Sequence, residues 1–244
     1  MMDASRFKMA YVLPNLFTAG SIFLSILAIV SALNADFERA FWFVVLSAVF
    51  DALDGRVARL TKTTSQFGKE FDSLADVIAF GVTPAFILYF AAGSQFGKFG
   101  VLVTALYVIF GAVRLARFNI TSSENEPNVF IGLPIPAAAL FVVSATMLFL
   151  EYADNWIWAL TLLAATAAAS VLMVSNIRYP SFKQVDFKKT YFLKTLVVLI
   201  IVLSLFYLYP MLFLPLIALL YVIGGPSRAL WTLSRKSKKV APHE

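Results

Sequence analysis

The sequence predicts an all-α integral membrane protein: a bundle of about eight transmembrane helices with both termini on the cytoplasmic side. Mean hydropathy is +0.82 and 60% of the residues are hydrophobic, with 24 Phe, more apolar surface than a globule of 244 residues can hide. Several apolar runs approach the roughly 20 residues that span a hydrocarbon core. With eight spans and a cytoplasmic N-terminus, only Arg39 and Lys98 of the 20 Lys and Arg fall on the far side. Cytoplasmic loops carry such a bias, so both the even span count and the orientation follow from it.

Residues 1–13 include Arg6, Phe7, Lys8, Met9 and Tyr11, the pattern of a short interfacial helix with a basic and an apolar face. Pro14-Asn15 opens a first span over 14–33, and N-A-D-F-E-R turns the chain into a second over 37–60. After T-K-T-T-S-Q-F-G comes a third span over 69–92, then a fourth over 98–118 that ends in R-L-A-R-F-N. The polar loop S-S-E-N-E-P-N-V precedes a fifth span, which begins in I-G-L-P-I-P and ends near Tyr152. A sixth covers 156–175, a seventh 191–208 and an eighth 210–224, with almost no loop at Tyr209-Pro210. The basic tail beyond Ser234 reads as a topology determinant and headgroup anchor. The start M-M-D-A-S-R-F-K lacks an A-x-A site behind a short apolar core, so the first span is expected to be retained.

The net charge of +6 would suit nucleic acid or anionic lipid. Its concentration in loops at one membrane face selects membrane lipids and leaves no role for nucleic acid. With no Cys there is no thiolate metal site and no Cys nucleophile, and the single His, His243, reads as a solvated tail residue. Any metal site must therefore be built from carboxylates, carbonyls and water, which favours Mg²⁺ or Mn²⁺.

Against this background Asp51 to Asp76 stands out. Asp51 and Asp54 are three apart, Asp72 and Asp76 four apart, so each pair shares one helix face. Four carboxylates at the ends of two membrane helices are costly to desolvate bare and call for cations. A plain charge network with Arg56, Arg59, Lys62 and Lys69 is the bland alternative. Cation or proton-coupled transport is another, although the acids lie at one face and no paired broken helices point to a carrier. Two divalent ions on these oxygens would suit a diphosphate undergoing in-line displacement. Gly55 and Ala58 leave room for a flat ring beside the backbone, Arg59 adds a permanent charge for phosphate oxygens, and Gly68 permits close packing where the third span begins.

Written as a pattern the stretch is D-x2-D-G-x2-A-R-x8-G-x3-D-x3-D, and it matches the signature of the CDP-alcohol phosphotransferase family at every fixed position. The chain resembles that family. The resemblance implies a six-helix catalytic core over 14–175, two additional helices over 176–225, a basic cytoplasmic tail over 226–244, and commonly a homodimer. It implies Asp51, Asp54, Asp72 and Asp76 as ligands of two Mg²⁺ or Mn²⁺ ions, with Asp76 also the general base. It implies CDP-lipid contacts at Gly55, Ala58, Arg59, Ser65 and Gly68, and at Asn15 and Thr18 in P-N-L-F-T.

R-L-A-R-F-N followed by G-L-P-I-P-A-A resembles the phosphatidylserine synthase branch of the family. That implies transfer of a phosphatidyl group from CDP-diacylglycerol, or a related CDP-lipid, to L-serine at the cytoplasmic face of the cell membrane, with release of CMP. Arg114 and Arg117, three apart, with Asn119 beyond them, are the candidates for acceptor binding. A forked guanidinium suits serine's carboxylate, but a glycerol-phosphate or inositol-phosphate acceptor would equally want basic residues, and both arginines could instead be positive-inside anchors.

Overall fold

The computed structural model of the protein describes residues 4–61, 63–121, 129–152, 155–180 and 192–240. Lys62, the S-S-E-N-E-P-N loop, Lys183, Lys188, Lys189 and His243 lie outside them. Helix α1 runs from Ala4 to Leu33 and α2 from Phe37 to Leu60. The expected break at Pro14 is absent. Extending an existing helix by one residue is easier than nucleating a new one, and Pro14 is absorbed within α1. Asp36 starts α2 by accepting from the backbone N–H of Arg39 at 3.1 Å.

Apolar faces alone do not drive helices together in lipid, so polar glue and small residues decide the contact. Between α1 and α2 the hydroxyls of Ser21 and Ser47 lie 2.8 Å apart, and Ser25 reaches Ser47 at 3.1 Å. Such bonds contribute roughly 0.6 kcal/mol each within a membrane. Gly20 closes the same seam, because a Cβ there would lie 2.7 Å from the Phe50 ring.

Helix α3 spans Gln66–Asp76, started by Ser65, which accepts from the Gly68 N–H at 2.9 Å. The chain continues through a π-helical turn, Val77–Val82, then α4, Thr83–Leu88, and a second π turn, Tyr89–Gly93. One continuous membrane-length rod, Gln66–Phe96, results. Pro84 explains part of the irregularity, since it brings no N–H to the turn behind it. Phe80, four residues earlier, has its carbonyl satisfied instead by the buried Tyr107 hydroxyl of α5 (Lys98–Thr121), which donates at 3.0 Å.

Helix α6 is Ile135–Tyr152 and α7 Trp156–Val174. Pro136 falls in the first turn of α6, where no intrahelical bond is lost. Two short strands qualify the all-α expectation. β1, Val129–Ile131, pairs antiparallel with β2, Arg178–Pro180, in register Phe130 opposite Tyr179. Three-residue runs are too short to show a period of two, and their pairing is long-range. Helix α8 is Phe192–Leu208 and α9 Pro210–Val240, joined through Tyr209 alone. α9 does not end at Gly224-Gly225-Pro226 as the sequence predicts. Gly225 serves packing there, because a Cβ would sit 2.4 Å from the Tyr179 ring.

Among the described residues six helices are long and apolar enough to cross a membrane: Val12–Leu33, Gln66–Phe96, Lys98–Thr121, Ile135–Tyr152, Trp156–Val174 and Leu212–Ala229. α2 falls outside that set because it carries Glu38, Arg39, Asp51, Asp54, Arg56 and Arg59. The core joins Phe80, Leu88, Tyr107, Leu133, Ile135, Leu163 and Met173, with a second cluster of Ala28, Phe41, Val44, Ile87 and Val143 between α1, α2, α4 and α6. α1 packs on both α2 and α3, and this brings the aspartate-bearing ends of α2 and α3 together beside it.

Candidate active site

α2 presents its two aspartates to different neighbours. Asp51 faces α3, where one carboxylate oxygen from each of Asp51, Asp72 and Asp76 lies within 4.8 Å of the others. At that spacing two unit charges repel by at least roughly 3 kcal/mol per pair at an effective dielectric near 20. Asp76 Oδ1 is buried and has no hydrogen-bond partner among the described atoms. An orphaned carboxylate oxygen beside two more carboxylates is a hard, oxygen-only donor set, and it fits a divalent cation such as Mg²⁺ or Mn²⁺. Asp54, the fourth acid, is buried and accepts from the Thr18 hydroxyl of α1 at 2.7 Å. It still lies in electrostatic range of Asp72. Asp72 thus belongs to both groups.

Beside these acids opens a cleft of about 200 Å³. Its lining contains all seven residues expected on the nucleotide side, Asn15, Thr18, Gly55, Ala58, Arg59, Ser65 and Gly68, together with Asp54 and Asp72. Local chemistry shapes it. Gly55 leaves the space over which Arg59 folds back one turn, its guanidinium nitrogens 3.6 and 3.9 Å from where a Cβ would be. Gly68 does the same at the start of α3, where a Cβ would meet Ser65 Oγ at 3.2 Å and Asn15 Oδ1 at 3.5 Å. Small residues at 55, 58 and 68 therefore keep the cleft floor at backbone level.

The three acceptor candidates separate. Arg114 on α5 is buried, only 5% exposed, with its guanidinium 5.3 Å from the Phe118 ring and its Nε unpartnered. It lies in electrostatic range of Asp76. Arg117 faces elsewhere. It donates to the carbonyls of Val174 at 2.9 Å, Ser175 at 3.0 Å, Ile131 at 3.3 Å and Met173 at 3.5 Å, and to Asn176 Oδ1 at 3.4 Å. These are the orphan carbonyls at the C-terminus of α7 and the end of β1, so Arg117 acts as a helix cap and staple. Gly132, at φ +78°, is required beside it, because a Cβ would lie 2.2 Å from Met173 O and 2.9 Å from Arg117 Nη2. Asn119 donates to Ser73 Oγ at 2.9 Å, tying α5 to α3 on the exposed side.

Sequence reasoning missed several neighbours of the site. Thr63, Thr64 and Lys69 line the cleft, and their place in T-K-T-T-S-Q-F-G was the available signal. Tyr107 was foreshadowed only by Pro84, and nothing local marks Tyr179 or Tyr221.

Residues 11–168 match the family model described as CDP-alcohol phosphatidyltransferase. The chain belongs to this family. It is 56% identical over 180 residues to a CDP-diacylglycerol–serine O-phosphatidyltransferase of Helicobacter pylori, covering 72% of this chain and 74% of the relative. A protein of the same description from Methanocaldococcus jannaschii is 40% identical over 163 residues, 66% of this chain and 74% of the relative. An archaetidylserine synthase of Methanothermobacter thermautotrophicus is 36% identical over 182 residues, 74% of each chain. The family match takes in all four aspartates, Arg114, Arg117 and Asn119, and ends before β2, α8 and α9.

Proposed function

We propose that the protein transfers the phosphatidyl group of CDP-diacylglycerol, or a related CDP-lipid, to L-serine, giving phosphatidylserine and CMP. The observation that carries this reading is the juxtaposition of the cleft, lined by every expected nucleotide-side residue, with the Asp51–Asp72–Asp76 group and, beyond Asp76, the buried Arg114. The serine acceptor named for two relatives supports the choice of acceptor.

In this reading Asn15, Thr18, Ser65 and Arg59 hold the CMP and diphosphate portion over the flat floor at Gly55, Ala58 and Gly68. Asp51, Asp54, Asp72 and Asp76 would hold the divalent ions, Mg²⁺ or Mn²⁺, whose charge offsets that of the diphosphate and of the departing CMP. Asp76 accepts the proton of the serine hydroxyl. The serine oxygen then bonds to the phosphatidyl phosphorus as the bond from that phosphorus to the CMP oxygen breaks, so CMP carries the displaced electron pair away. Arg114 binds the serine carboxylate. The site lies at the cytoplasmic face of the cell membrane, residues 14–175 form the catalytic unit, and the chain works as a homodimer.

The test is purified protein in lipid nanodiscs with CDP-diacylglycerol and Mg²⁺ or Mn²⁺, offered L-serine, glycerol 3-phosphate or inositol phosphate in turn. CMP release is expected with L-serine, abolished by chelator and restored by either ion. Release only with a phosphorylated polyol would overturn the serine assignment, and cation flux without CMP release would overturn the enzyme.

A further inference from the structure

The side of α2 turned away from the acids has a recess of its own. One face of α2 from Val45 to Leu53, with Leu140 of α6, Phe206 of α8 and Leu214 of α9, lines a groove of about 310 Å³. Its lining is apolar throughout except for Arg56 at one end. The groove shares no lining residue with the nucleotide-side cleft. Helical phase explains the separation, because two steps of about 100° put Arg56 on the side of α2 opposite Asp54.

The dimensions of the groove fit one leaflet of a bilayer. Eleven positions separate Val45 from Arg56, a rise of roughly 16 Å at about 1.5 Å per residue. A hydrocarbon core is roughly 30 Å thick, so this is about the depth of one leaflet. Arg56 stands in the same final turns of α2 as Asp54 and Arg59, which puts its charge at headgroup level and the apolar run toward the midplane. Trp42, one turn beyond Val45, holds the Phe206 ring edge-on at 6.2 Å and so keeps α8 against the deep end. Val49 and Leu53 remain exposed, which leaves the groove open along its length. Arg56 is exposed too, and among the described residues it has no ion pair or hydrogen bond. A spare guanidinium at the head of an apolar groove one leaflet deep complements an amphiphile with an anionic head and an acyl chain.

We propose that this groove binds an anionic phospholipid of the leaflet at the aspartate end, separate from the CDP-lipid donor. Its phosphodiester sits on Arg56 and one acyl chain runs along α2 from Leu53 to Val45. The site goes beyond the serine-transfer reading and does not depend on which acceptor the enzyme uses.

The test is native mass spectrometry of the purified full-length protein in detergent, titrated with dioleoyl-phosphatidylglycerol or with dioleoyl-phosphatidylcholine. Phosphatidylglycerol is expected to bind about tenfold more tightly, the effect of one charge-assisted contact to a head with no cation of its own. Arg56→Gln is expected to remove that preference, and Arg56→Lys, which keeps the charge but not the fork, to retain about threefold of it. Ala52→Trp puts a ring where the acyl chain would lie and is expected to weaken phosphatidylglycerol binding about tenfold. Equal binding of the two lipids, or a preference that survives Arg56→Gln, would overturn the proposal. Displacement of bound phosphatidylglycerol by an equal amount of CDP-diacylglycerol would assign the groove to the donor's tails. A change from dimer to monomer on Ala52→Trp, with lipid binding unaltered, would assign it to a second copy of the chain. Either result overturns the separate lipid site.

Discussion

The cleft between α1, α2 and α3 takes all of its lining from residues 14 to 72, whereas Arg114 is buried on α5 with its guanidinium over Phe118, and both strands are linked to it through Phe118 and Phe130. The first region is local in sequence, open, and floored by Gly and Ala. The second is long-range, buried and aromatic. Arg114 and Arg117 sharpen the contrast, because they are three positions apart on α5, yet one guanidinium has an unpartnered Nε among the described atoms and the other is committed to four carbonyls. A 100° advance per residue makes i and i+3 near neighbours on a helix, but the surroundings decide what each does. Equal residue types at helical spacing therefore did not mean equal roles.

The largest expected effect is at the junction of the two regions. Asp76→Asn should lower serine-dependent CMP release on the order of 10³-fold while CDP-lipid binding remains measurable, because a general base is lost but the cleft is not. Near-normal turnover would remove Asp76 from the base role. Next comes Arg114→Ala, expected to raise KM for serine about 10- to 100-fold, the loss of a charge-assisted bond, with a much smaller change in KM for CDP-diacylglycerol. Equal changes in both constants would merge the two regions.

Arg117→Ala should do the reverse. Losing the donors to the α7 carbonyls should destabilise the protein by about 3 kcal/mol, read as a lower melting temperature in detergent, with KM for serine little changed. A serine-specific effect as large as that of Arg114→Ala would restore Arg117 as an acceptor ligand. Tyr107→Phe leaves the Phe80 carbonyl that Pro84 abandons without its donor, one π turn beyond Asp76. A fall in kcat of about fivefold is expected with both Michaelis constants near normal. The smallest effect is on the donor side, where Thr18→Val removes the bond to Asp54 and should raise KM for CDP-diacylglycerol about threefold without touching that for serine. An unchanged constant would detach Thr18 from the nucleotide side.

The helical membrane architecture and the family were legible in the chain, because hydropathy and the D-x2-D-G-x2-A-R spacing depend on residues close in sequence. The same locality made the cleft legible, since Gly55, Ala58 and Arg59 share one helix with Asp54, and Ser65 and Gly68 open the helix that carries Asp72. α1 through Pro14 and α9 through Gly224-Gly225-Pro226 were not, because helix-breaking residues were read by local propensity while packing overrode it. What only the tertiary structure decided is pairing: β1 against β2, Arg117 on the end of α7, Tyr107 on Phe80, and Tyr221 on Pro180. Each joins residues tens of positions apart or ends a short segment without periodicity, and such contacts leave no trace in composition or spacing. The sequence by itself determined the placement of the acids and their cleft, through neighbours one helical turn away. The partners of Arg117, and with them the different settings of two arginines on one helix, were decided by which distant backbone groups the fold brought within hydrogen-bond reach.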